Sequence, residues 1–332
     1  MRHAARSIGI LYEHPEWFTP LFAELDRRGI RYDRVLASEL HFDPSERDLP
    51  YSLVVNRMSP SAYNRGHEHA IFTSLSYLHF LDTMGVPVVN GVDAFSLELS
   101  KAAQIALLAR LGLPFPATRV INTVQQAREA ARRLTFPLLV KPNIGGSGAK
   151  IHRFDSPDTL DDAVTGGRLD LGIDHTALVQ EFHPPVGGFI VRVEVLDGKF
   201  LYAIKVFPNP SAGFNLCPAD ICQTDTDMVT AKTLQVTAPV DLPKTNLKVE
   251  GYTPPREIIE DVLRLTRAAR IDVGGIEYLI SERDGRLYFY DINALSNFVT
   301  DAPRVVGFDP VPVFVDYLVA RSKVGGQIVS SS

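Results

Sequence analysis

Only two cysteines, Cys217 and Cys222, occur in 332 residues. A small secreted scaffold held by disulfides needs more of them in a shorter chain, and a metal knuckle needs a second pair. The two read as free thiols in a reducing compartment. Excess charge of one sign is missing as well, with a formal net charge of −5. Local basic clusters such as Arg27-Arg28 and Arg132-Arg133 sit near expected helix ends and read as solvated faces, so no nucleic-acid footprint is present. No apolar run approaches the roughly 20 residues that span a bilayer, and Val311 to Ala320 is interrupted by Asp316. The apolar stretch Ile8 to Tyr12 is too short for a signal-peptide core. The expectation is a cytoplasmic protein with neither membrane nor nucleic acid as partner. There is also no G-x-G-x-x-G after a strand and no Walker loop, which leaves a dinucleotide site and a P-loop unsupported.

What remains is an ordinary globular composition, 45% hydrophobic and 22% charged, long enough for two or three subdomains. The first part has a β-α-β rhythm: strands at Ser7 to Tyr12, Leu53 to Asn56 and Val86 to Asn90, and helices around Trp17 to Leu25 and Phe72 to Met84, each stopped by a glycine. That rhythm implies a small parallel sheet. Ala94 to Leu111 reads as one amphipathic helix, and a second runs from Asn122 or Thr123 to Leu134. Antiparallel α+β character follows, with strands at Leu138 to Lys141, Lys150 to Phe154, Ala177 to Phe182, Phe189 to Leu196 and Lys199 to Phe207. Residues 208–252 lack a period and are long for an ordered loop unless they cover something. Thr253-Pro254 opens a helix to Arg270. A hairpin pairs Ile276 to Ser281 with Arg286 to Ile292, a last helix spans Val311 to Arg321, and Gly325 to Ser332 reads as a frayed tail.

Three segments carry chemistry. In Phe136-Pro-Leu-Leu-Val-Lys141-Pro-Asn-Ile-Gly145-Gly146-Ser147-Gly148, a lysine closes a strand and a glycine loop follows. Such a loop lets backbone N–H groups approach phosphate oxygens while the lysine neutralises their charge; the same pattern also fits a flexible hairpin with a solvated lysine. In the C-terminal hairpin, Glu277 faces Asp291 across the turn, and Asn293 shares the face of Asp291. Two carboxylates and an amide oxygen suit Mg²⁺, and carboxylates that close repel without a cation between them; solvated acids on an exposed sheet face are the alternative. Third, Gln180-Glu181-Phe182-His183 ends an apolar strand before two prolines, as an interlobe hinge that meets an adenine edge or as an ordinary strand end.

In this order the segments resemble the ATP-grasp superfamily, in its RimK-like branch of carboxylate–amine ligases. The resemblance runs from about residue 86 to 321 through Val-Pro-Val-Val-Asn90, Ser100-Lys101, Leu-Gly-Leu-Pro-Phe-Pro-Ala-Thr118, the Lys141 loop, Val-Gln-Glu-Phe182, the Arg192 strand and Asp-Ile-Asn293. It implies an α/β plus α+β chain: a pre-ATP-grasp domain with a small parallel sheet over 1–95, a central lobe over 96–183, and a C-terminal lobe with the metal site over 184–325. The last two clamp ATP; residues 208–252 are a candidate lid and 326–332 a flexible tail. The implied roles are ATP-phosphate lysines at Lys101 and Lys141, a triphosphate loop at Gly145, Gly146, Ser147 and Gly148, an adenine hinge at Gln180, Glu181 and Phe182, and Mg²⁺ ligands at Glu277, Asp291 and Asn293, with Mn²⁺ as a substitute. Arg192, with Lys205 on the next strand, is the implied catalytic cation for phosphoryl charge.

The chain departs from that pattern in three places. Ile190 stands where relatives place a ribose-holding Asp, with Glu194 as a stand-in. Only Asn215 survives from a basic stretch, whose arginine, part of a glutamate-type pocket in relatives, is missing. Asn293-Ala-Leu-Ser-Asn297 replaces the usual Asn-x-Ser-Pro-Gly. The resemblance implies an ATP- and Mg²⁺-dependent ligase that joins a small-molecule or peptide carboxylate to an amine through an acyl phosphate, releasing ADP and phosphate, and homo-oligomers are common among relatives. A small-molecule kinase on the same fold, or a regulatory ATP-binding protein without turnover, are the other readings. Arg57, just past a strand, and Arg65 lie where a first domain would meet substrate.

Overall fold

The computed structural model describes residues 6–14, 16–146, 148–208, 214, 216–218 and 247–328. Strand β1 (Ser7–Tyr12) is buried along its whole length, as a central strand covered on both faces must be. Helix α1 (Thr19–Arg27) returns the chain, with Pro20 in its first turn. Strands β2 (Tyr32–Leu36) and β3 (Tyr51–Arg57) then pair in parallel on either side of β1. Helix α2 (Glu68–Thr83) crosses to β4 (Val88–Val89), which completes a parallel sheet in the order β2-β1-β3-β4.

The single helix expected over Ala94 to Leu111 is two, α3 (Val92–Glu98) and α4 (Lys101–Arg110). Ser100 leaves helical geometry (φ −140°, ψ 98°), and its Oγ accepts from the Ala103 N–H. The cap restarts the helix with Lys101 as its first residue. The apolar period runs through this break, so periodicity does not register it.

A second sheet is built from β5 (Thr118–Ile121), β6 (Leu138–Pro142), β7 (His152–Phe154) and β8 (Ala177–Glu181). It is antiparallel, in the order β5-β8-β6-β7. Helices α5 (Gln126–Ala131) and α6 (Pro157–Thr165) cover one face, joining Ala127, Leu160 and Ala163 to Leu138, Val140 and Val179 in one core. The sequence reading assigns no helix at α6, although Ser156 and Thr159 form a reciprocal cap around Pro157.

The third sheet holds β9 (Ile190–Leu196), β10 (Lys199–Phe207), β11 (Lys248–Tyr252), β12 (Val273–Ile280) and β13 (Leu287–Asn293) in the antiparallel order β11-β10-β9-β12-β13. Between β11 and β12, α7 (Arg256–Ala268) packs Val262 and Leu265 against Val191, Val193 and Val195 on one face. The other face carries Ile190, Ile204 and Val206 into a core shared with Ile8, Ile10 and Leu21 of the first sheet. After α8 (Ala302–Val306), α9 (Pro310–Ile328) seals that core with Phe314, Val315 and Leu318. Each such side chain removed from water stabilises the packing by about 1.5–3 kcal/mol, so the first and third sheets form one frame. Among the described residues no helix is long and apolar enough to cross a membrane.

Helix α9 continues past the expected end at Arg321 to Ile328, so the frayed tail does not begin at Gly325; residues 329–332 lie outside the described residues. Most of the candidate lid over 208–252 also lies outside them, and its last residues are the ordered strand β11.

Candidate functional site

The site starts from two lysines on different segments. Lys141 ends β6 and Lys101 begins α4; Asn143 ties the two together. Its carbonyl accepts from the Lys101 N–H at 3.3 Å. Its Oδ1 accepts from the Ala102 N–H at 2.9 Å and from Ser100 Oγ at 3.2 Å, and its Nδ2 donates to Asp174 at 2.7 Å. One buried amide therefore fills helix-terminal donors that would otherwise be orphaned and fixes where both ammonium groups point. Lys101 Nζ donates to Asp291 Oδ1 at 2.8 Å. Burial works against the Lys101 charge, but Asp291, Glu98 and Glu277 outweigh it and raise its pKa. Among the described residues Lys141 has no such contact: burial, with the Lys101 charge adding to it, pushes its ammonium down to about 8.

The β12–β13 hairpin supplies the acids. Glu277 and Asp291 are direct cross-strand partners, and Asn293 pairs with Gly275. Arg192 on β9 faces Glu277 across the neighbouring ladder. Its Nη1 donates to Glu277 Oε1 at 2.9 Å, and its Nε donates to Glu194 Oε1 at 2.6 Å. Burial opposes its charge, yet the two carboxylates keep it firmly protonated. Gly275 makes room for this arrangement: a Cβ there would stand 2.5 Å from the guanidinium. Tyr290 Oη donates to Glu277 Oε2 at 2.9 Å. Burial still raises Glu277 above the usual carboxylate range, with Arg192 opposing. For Asp291, Lys101 and Lys141 overcome burial and lower the pKa.

Among the described residues no trio of His, Cys, Asp and Glu side chains could hold a metal. Two opposed carboxylates beside an amide nevertheless fit Mg²⁺, which takes one or two carboxylates and completes its shell with phosphate oxygens and water. Glu98 is a wall residue that the sequence reading misses. Its carboxylate accepts from the Ala294 N–H, just past Asn293. Burial pushes it up to about 7; the Ala294 hydrogen bond opposes and the Asp291 charge adds. Only its place before the helix break hints at it in the sequence.

These groups line one cavity of about 710 Å³ between the three sheets. Gly145, Gly146 and Gly148 are on its wall, and Ser147 lies outside the described residues. Gly146 packs so closely on the Ser59–Ser61 loop that a Cβ would meet that of Ser61 at 3.1 Å. At the far side stand Gln180, Glu181 and Phe182. The Glu181 and Phe182 N–H groups donate to Ala117 O and Pro137 O, both at 2.9 Å, so neither is free to meet a base. The Gln180 amide donates to Thr118 Oγ1 at 2.8 Å.

Four expected residues, Glu194, Lys205, Arg57 and Arg65, do not reach the cavity wall. Glu194 is fully buried beneath Arg192, which engages it; its Oε2 has no partner among the described residues. Lys205 is on the wrong face. The Asp197-Gly198 turn pairs Leu196 with Lys199, and an unbroken ladder from there would set Lys205 opposite Ile190, beside Arg192. A bulge between Phe200 and Tyr202 shifts the register by one residue, so Lys205 pairs with Val191. That slip turns its side chain to the opposite face, where its ammonium stands 4.3 Å from the Phe189 ring centre and 4.9 Å from that of Tyr252. Asn215 lies outside the described residues. Arg57 is buried off the wall, donating to Ser296 O between the Phe18 and Phe314 rings, and Arg65 is held by Glu13.

No family model matches the chain. Over 132 residues it is 33% identical to a D-alanine–D-alanine ligase of Gloeobacter violaceus, a match that spans 39% of this chain and 42% of that protein. The chain thus spans less than half the length of that relative. Among solved structures it superposes on the ATP-grasp ligase PsnB complexed with a minimal precursor with a TM-score of 0.65 at 17% identity, covering 95% of this chain and 99% of the other. The chain has the ATP-grasp fold. A RimK domain ATP-grasp protein from Sphaerobacter thermophilus is similar as well, with a TM-score of 0.64 at 16% identity over 94% of this chain and 98% of that one. Within the ATP-grasp fold, the cavity described above is the cleft between the N-terminal sheet and the two antiparallel lobes.

Proposed function

We propose that this chain is an ATP- and Mg²⁺-dependent carboxylate–amine ligase that works through an acyl phosphate. The observation that carries the reading is the meeting of Lys101 and Lys141 with Arg192, Glu277, Asp291 and Asn293 on one cavity wall. Lys101, Lys141 and the glycine loop hold the triphosphate of ATP, and its base lies against the side chains of Gln180, Glu181 and Phe182, whose Glu181 and Phe182 N–H groups are already bonded within the protein. Glu277, Asp291 and Asn293 hold Mg²⁺, for which Mn²⁺ substitutes; when bound, the metal neutralises phosphate charge. Residues 1–95 form the pre-ATP-grasp domain, 96–183 and 184–325 the two clamping lobes, and the protein is cytoplasmic.

Two steps follow. A carboxylate oxygen of the substrate attacks the γ-phosphorus, the bond to the bridging oxygen breaks, and ADP leaves. An amine then attacks the acyl carbon, phosphate leaves with the oxygen that made the first attack, and one N–H proton passes to it. Arg192 stays charged throughout, and a fixed cation is what the spread charge of phosphoryl transfer requires. The two carboxylates that keep it charged also stop it from swinging away.

The test is to supply Mg²⁺–ATP with paired amino acids or peptides and quantify ADP, phosphate and coupled product by mass spectrometry. Equal ADP and phosphate together with a new amide is the expected result. ADP with a phosphorylated product and no free phosphate would make the protein a kinase on the ATP-grasp fold.

A further inference from the structure

The cavity has an apolar end that the nucleotide does not account for. Trp17, Pro60, Leu216, Pro218, Leu295 and Phe298 line it. Trp17 and Phe298 are buried members of one extended apolar core, and Leu216 and Leu295 pack against the same core. The six lining residues come from four segments: the loop after β1, the short piece 216–218, the loop after β13 and, with Pro60, the stretch after β3. The Thr300 N–H donates to Pro218 O at 3.3 Å, which ties the second segment to the third. Phe298 sits at φ +52°, a left-handed conformation that glycine or asparagine takes with less strain. Its N–H donates to Ser296 Oγ at 3.2 Å, and the next N–H, of Val299, donates to Tyr202 Oη at 3.0 Å. An aromatic ring is thus held at a strained position on the cavity wall.

Unassigned charge is missing from this end. Among the described residues the lysines and arginines on the wall are Lys101, Lys141, Arg153 and Arg192. Three of these belong to the carboxylate cluster, and Arg153 stands over the Phe182 ring at 4.6 Å. Arg65 lies over Trp17 at 4.8 Å, but it is off the wall and is held by both oxygens of Glu13. A second carboxylate placed here would find no cationic partner among the described residues, whereas a branched or aromatic side chain would find a surface to cover.

We propose that this end binds the side chain of the carboxylate substrate, and that the substrate is an apolar amino acid of leucine to phenylalanine size. The proposal rests on the ligase reading for the reaction, but its binding part stands alone. Burying such a side chain predicts a preference over glutamate of roughly tenfold or more.

Trp17 is the single tryptophan of the chain, so its emission reports occupancy of this end without turnover. The full chain, with Mg²⁺ and a non-hydrolysable ATP analogue, is titrated with leucine, phenylalanine and glutamate. Saturable change with leucine or phenylalanine, roughly tenfold tighter than with glutamate, is the expected result. In parallel, Mg²⁺–ATP and hydroxylamine trap any acyl phosphate as a hydroxamate. Leucyl or phenylalanyl hydroxamate supports both subsite and reaction. Saturation without any hydroxamate keeps the apolar subsite and removes the ligase reading. Equal or tighter glutamate binding, a glutamyl hydroxamate in preference, or no response to any of the three acids overturns the subsite. Leu216→Lys, checked for unchanged nucleotide binding, should move the preference toward glutamate by roughly tenfold; an unmoved preference also overturns it.

Discussion

Lys141 is the residue for which folding and binding conflict most sharply, and replacing it with methionine tests that conflict. Burial, helped by the nearby Lys101 charge, takes its ammonium from an ordinary 10.5 down to about 8. The gap corresponds to roughly 3 kcal/mol working against the folded protein while the lysine is charged. Methionine has a similar length and no charge, so Lys141→Met should stabilise the nucleotide-free protein by about 2–3 kcal/mol near pH 7 and raise its melting temperature by a few degrees. The same change should abolish turnover, because the cation meant for the triphosphate is gone. Between pH 8 and 10.5 the unfolded lysine holds its proton and the folded one does not, so wild-type stability recovers as pH rises. The advantage of the variant is therefore full below pH 8, shrinks through that window and vanishes above it. Denaturant unfolding of both proteins at several pH values measures the difference directly. A variant less stable than wild type at pH 7, or an advantage that does not fall with pH, would refute the reasoning.

Other residues give sharper local tests. Asn143→Ala removes the acceptor for Ala102 N–H and Ser100 Oγ; it should cost about 2 kcal/mol of stability and raise KM for ATP more than it lowers kcat, as steady-state kinetics would show. Asp291→Asn should lower kcat/KM by about a hundredfold or more while circular dichroism stays unchanged; retained activity would remove Asp291 from the metal site. Lys205→Met should leave kcat within about a factor of three, since its side chain is on the far face of the sheet. A large loss there would mean that the bulge does not set the face as described.

Strands with strong apolar character are legible in the sequence itself: β1 matches Ser7 to Tyr12, and the β12–β13 hairpin brings Glu277 opposite Asp291 as side-chain alternation implies. Lys101, Lys141 and Asn293 stand out because their segments carry glycines, prolines and charges in an unusual order. Edge elements are not legible in this way. Strand β2 is half exposed and mostly polar, so it lacks both a buried run and a clean alternation. The break at Ser100 hides inside a continuous apolar period. Strand alternation alone puts Lys205 beside Arg192; one bulge residue reverses the faces, and nothing local in Phe200-Leu201-Tyr202 announces it. Asn143, Glu98 and the Trp17 end of the cavity arise only when distant segments meet, which a single sequence does not encode in its spacing.

The central claim is that a carboxylate oxygen attacks the γ-phosphorus of ATP. Labelling both oxygens of the substrate carboxylate with ¹⁸O and analysing the released phosphate by mass spectrometry tests it most directly. An acyl phosphate predicts one labelled oxygen in each phosphate released during coupling. Phosphate without label, formed alongside a coupled product, would contradict the account.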